Sequence, residues 1–67
     1  MKIIIQDIIY NVSVYTDLYD REITFSNSKR THKVKVIQSC DFKFSAEDLI
    51  EVIEFIQLNG FVEEYEL

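Results

Sequence analysis

A cysteine–histidine nucleophile pair is the first chemistry the residues offer. The chain holds one of each, His32 and Cys40, eight residues apart on one expected strand. At about 3.3 Å per residue they stand roughly 26 Å apart, far beyond hydrogen-bond reach. Cys40 then reads as a small half-buried residue and His32 as a surface residue at the strand's end. One Cys and one His make no ordinary zinc site, and one Cys makes no internal disulfide. A single Gly excludes a glycine-rich phosphate loop. Asp17, Asp20 and Glu22 cluster around an expected turn, and hard cations favour such oxygens. The calcium-loop pattern with its central Gly is absent, however, and turns attract Asp on their own account. Asp17 and Asp20 also lack the apolar setting that would divide them into acid and base. No catalysis, metal or cofactor is therefore expected.

Binding chemistry is better represented, because the charge is segregated. Lys29, Arg30, Lys33 and Lys35 place four bases within seven residues, without an acid among them. Such a hairpin could grip phosphate, with His32 beside it and Tyr or Phe to stack on bases. It carries no base-reading motif, so nucleic-acid binding is the alternative reading. From Ala46 onward there are seven acids and no base. Glu47, Glu51 and Glu54 share one helix face and span about 10.5 Å of axis. A DNA strand carries about three phosphates in that length. Such a face suits a basic groove that ordinarily holds nucleic acid. Leu58 falls at the same angle and Phe55 at the edge, an apolar anchor within an acidic rim. Glu63 and Glu64 extend the acidic region into the tail. Either Leu58 points outward or the tail folds back over it.

The elements that must position these residues follow from periodicity. Apolar residues make up 48% of the 67, enough for one small globular domain. Ten Ile, six Val, five Phe and four Tyr favour strands. Alternation predicts strands at about 2–16, 21–27 and 32–39. The first has Tyr10, Val12, Val14 and Thr16 on one face, the second Ile23 and Phe25, and the third Val34 and Val36. The Ile3–Ile5 run is either a separate strand before a turn at Gln6–Asp7 or the same strand continued through a bulge. Turns at 17–20 and 27–30 imply an antiparallel meander. A helix is predicted over 46–59. Ser45 is its N-cap, Asp48 completes a capping box, and Phe44 with Leu49 forms a staple. Asn59–Gly60 ends it, with Phe61 placed to close a Schellman motif. Leu49, Val52, Ile53 and Ile56 form its apolar stripe. The tail 60–67 alternates weakly and can add an edge strand. The expected fold is α+β: a three- to four-stranded antiparallel meander under one C-terminal helix, in two layers.

The net charge of −5 repels nucleic acid and anionic membranes over most of the surface and favours a basic protein partner. No signal or membrane segment shows, and the lone Cys40 suits a reducing, cytoplasmic setting. Two sheet edges also invite strand addition or a homodimer. A dimer is expected if Ile3, Ile5, Ile8 and Ile9 are not all covered.

In length, in its Ile-, Lys-, Asn- and Tyr-rich composition, and in the acidic stretches AEDLIEVIEF and VEEYE, the chain resembles small acidic inhibitors encoded by phages of low-GC bacteria, anti-CRISPR proteins among them. Ala, Gly and Pro, whose codons are GC-rich, occur only twice together. The resemblance implies a non-catalytic inhibitor that blocks a nucleic-acid-handling host protein, such as a CRISPR effector. It carries over no individual residue. On the residues alone, the expected binding set is Glu47, Glu51, Glu54, Phe55, Leu58, Glu63 and Glu64.

Overall fold

The computed structural model describes residues 1–17, 20–38 and 44–67. Cys40, the residues between Asp17 and Asp20, and the end of the third predicted strand at Ser39 lie outside these. The fold is α+β. Its strands are β1 (Lys2–Ile5), β2 (Ile8–Thr16), β3 (Arg21–Ser26), β4 (Thr31–Ile37) and β5 (Glu64–Glu66), with helix α1 (Ala46–Asn59) before the last strand. They form one sheet in the order β1-β2-β3-β4-β5. The first four are antiparallel neighbours.

The first predicted strand divides. Gln6 and Asp7 adopt φ values of 49° and 68°, and Ile5 pairs directly with Ile8. Two successive positive φ values define a type I′ hairpin turn, for which Asn-Gly is the usual signal. Gln-Asp lacks that signal, so the residues alone left a bulge open. Gln57 of α1 holds the turn from above. Its Oε1 accepts from the Gln6 N–H at 3.1 Å, and its Nε2 donates to the Ile4 carbonyl. The tail completes the sheet with a fifth strand. Because α1 carries the chain back across the sheet, β5 runs parallel to β4, pairing Lys35 with Glu64 and Ile37 with Glu66.

The core lies between the sheet's inner face and α1. Ile5, Tyr10, Val12, Ile23, Phe25, Val34 and Val36 meet Val52 and Ile56 there. Val14 keeps this face, paired with Ile23, but is exposed. The helix begins as its residues dictate. Ser45 Oγ accepts from the Asp48 N–H at 3.2 Å, and Asp48 Oδ2 accepts from the Ser45 N–H at 2.9 Å. Its end differs from expectation. Gly60 donates to the Ile56 carbonyl at 2.8 Å but sits at φ 87°, ψ 176°. That is a glycine-only extended conformation, outside the left-handed helical geometry of a Schellman ending. The chain thus exits straight, and Phe61 drops among the core aromatics. Its ring stacks on His32 at 3.9 Å and meets Tyr10 and Phe25 edge-on, each at 5.3 Å.

His32 is accordingly half-buried rather than a fully exposed strand-end residue. It shares the inward parity of Val34 and Val36, and its Nε2 is buried. The stack on Phe61 occupies the ring that exposure would have left in water. Among the described residues, no helix is long and apolar enough to cross a membrane.

Candidate protein-binding face

Helix α1 puts its apolar stripe on the sheet and leaves Glu47, Ile50, Glu51, Glu54, Gln57 and Leu58 to solvent. Leu58 is 84% exposed and Ile50 53%. The first alternative therefore holds: the tail runs along β4 and does not cover Leu58. At 100° per residue, Glu54 lies between Ile50 and Leu58 on one i, i+4 ridge. The two apolar groups are spaced by about 12 Å of helix axis. Ile50 is the residue that the sequence reading missed. Its signal was its angle, roughly 110° from the centre of the buried stripe.

Two expected members of the face have structural work as well. Phe55 is half-buried, its ring edge-on to Tyr65 of β5 at 5.0 Å. The Tyr65 hydroxyl donates to Glu51 Oε2 at 3.0 Å. That bond holds the Tyr65 phenol above its ordinary value, with desolvation and the carboxylate's charge adding to it. Glu51 is thus held by Tyr65, while Glu47 and Glu54 are exposed. Phe55 thus also packs the helix against β5.

The tail acids separate from this face. Glu64 pairs across the strands with Lys35, and Glu66 with Ile37, on the sheet's outer side. Successive strand residues point to opposite faces, so Glu64 lies opposite the helix layer while Tyr65 lies beneath it. Glu63 is exposed just before β5, and its carbonyl accepts from the Lys35 N–H at 2.9 Å.

The basic run is likewise broken up by topology. Lys29 and Arg30 stand exposed at the β3–β4 turn, where both backbone N–H groups donate to Asn27 Oδ1. Lys33 pairs with Thr24, and Lys35 with Glu22 on one side and Glu64 on the other. Cross-strand neighbours have Cβ atoms about 5 Å apart, so Glu22 and Glu64 stand beside Lys35 on the outer face. A cleft of about 300 Å³ beside Lys35 is lined by Tyr15, Asp20, Arg21 and Glu22, again of both signs. The bases therefore present no continuous positive surface.

No known family profile, curated protein or solved structure matches the chain.

Proposed function

We propose that the chain is a non-catalytic binding module that docks the outward face of α1 onto a basic surface of another protein. In this reading it acts as a phage-type inhibitor. The helix occupies a groove in which a nucleic-acid-handling protein, such as a CRISPR effector, would otherwise hold its substrate. The observation that carries the proposal is Leu58, 84% exposed on the helix face that also carries Glu47, Glu51 and Glu54. A bulky apolar group left in water costs solubility and gains nothing for the fold. Within an acidic rim it has the make-up of an interface anchor. Glu47 and Glu54 supply the field that steers a basic partner, and Ile50 widens the contact. The bases of β4 support a nucleic-acid-binding reading less well, since Glu22 and Glu64 offset Lys35.

The test is retention of partners on immobilised protein from a low-GC bacterial lysate after nuclease treatment, followed by titration of the retained protein. Wild type is expected to hold a basic, nucleic-acid-handling protein and to compete with its nucleic acid. Leu58→Ala should weaken binding by about 10- to 100-fold, in the range of interface anchors. The pair Glu47→Lys and Glu54→Lys should abolish it, with circular dichroism unchanged. That pair is preferred to Glu51 because reversing Glu51 would also release Tyr65. Undiminished affinity in both variants would overturn the proposal. Recovery only of nucleic acid, lost on replacing Lys29 and Arg30, would transfer the function to the β3–β4 turn.

A further inference from the structure

We propose that the outward face of the β1–β2 hairpin is a self-association surface that seats the same face of a second copy about a twofold axis. Its centre is the cross-strand pair Ile4 and Ile9, each 59% exposed on the side of the sheet away from the helix. The type I′ turn makes Ile5 and Ile8 the first hydrogen-bonded pair, so Ile4 and Ile9 form a non-bonded pair, in which side chains stand closest. The rest of this end of the outer face is Asn11, Ser13, Ser26 and Thr31. The apolar spot is therefore discrete.

Strand addition at β1 is obstructed. The Ile4 carbonyl, which faces the open edge, already accepts from Gln57. A partner reaching these isoleucines must approach the face instead. Charge then selects the partner. Lys2 lies on one side of the isoleucine pair and Asp7, in the turn, on the other. Both are exposed. A twofold interface repeats every contact with the roles exchanged. Turned antiparallel, two copies bring Lys2 of each beside Asp7 of the other, with four isoleucines between them. The acids Glu47, Glu51 and Glu54 lie on the far side of the helix layer. The self-repulsion of a −5 chain is thus weakest in this orientation. The surface differs from the outward face of α1, so a dimer leaves that face open.

Sedimentation equilibrium of the full chain tests this between roughly 10 µM and 1 mM, where small interfaces assemble. The expected mass rises from 8.0 kDa toward twice that value. Ile9→Lys and Ile4→Lys should each hold the chain monomeric while circular dichroism stays unchanged. Lys2→Asp alone and Asp7→Lys alone should each weaken association about tenfold, and the two together should restore it. A wild-type monomer throughout would overturn the proposal. So would a dimer that survives Ile9→Lys or is lost on Leu58→Ala. Failure of the double exchange to restore association would overturn the antiparallel arrangement.

Discussion

The molecule shows solvent two broad surfaces, the outer side of α1 and the outer side of the sheet, and they treat charge in opposite ways. On the helix, spatial neighbours come from the same short segment. A run of acids in sequence therefore stays a run of acids in space, as with Glu47, Glu51 and Glu54. On the sheet, a residue's neighbours come from other strands. Lys35 sits between Glu22 and Glu64, and Lys33 beside Thr24. A charge cluster read along a sequence is thus a safe guide to a helix surface and a poor one to a sheet surface.

The strongest way to break this contrast is to detach one layer from the other. Ile56→Ala removes a fully buried side chain where α1 meets the sheet. It should cost about 2–5 kcal/mol, much of the stability of a domain this small, and a urea unfolding midpoint would register it. A smaller effect separates the two surfaces directly. Lys35→Glu would line three carboxylates across β3, β4 and β5 and should cost about 0.5–1 kcal/mol. Lys29→Glu at the turn has no such neighbours and should change the same midpoint by less than about 0.5 kcal/mol.

The smallest effect sharpens the one point where helix and sheet share a charge. The Tyr65 phenol titrates above its ordinary value in the fold because Glu51 accepts its proton's hydrogen bond. The unfolded chain gives up that proton first as pH rises. This contribution is therefore fully present below about pH 10 and is lost as pH climbs through the folded value. Tyrosinate absorbance should show the late-titrating tyrosine in wild type and its downward return in Glu51→Gln.

Much of the fold was legible where a signal is local. The capping box at Ser45 and Asp48, the helix bounds and the inward alternation of Ile23, Phe25, Val34 and Val36 all depend on residues close in sequence. The type I′ turn was not, because Gln6 is held by Gln57, fifty-one positions away. Phe61 and His32 were misplaced for a related reason: their stack needs the straight exit at Gly60 and β4 together. Of the candidate site, cover of Leu58 by the tail stayed open and Ile50 was missed, but the shared helix angle of Glu47, Glu51, Glu54 and Leu58 was legible. The division of Glu63 and Glu64 from that face was not, because it follows from the pairing of β5 with β4.

The late arrival of β5 also has a consequence in time. In a chain made from its N-terminus, β4 emerges before α1 and β5 and must wait as an edge strand, with Val34 and Val36 already patterned for pairing. Long apolar edges recruit other chains, and lysines on an edge deter them. Lys33 and Lys35 stand on that strand, and Glu64 reaches Lys35 only once β5 has closed beside it. Lys33 and Lys35 are thus placed where charge deters edge pairing until the last strand docks.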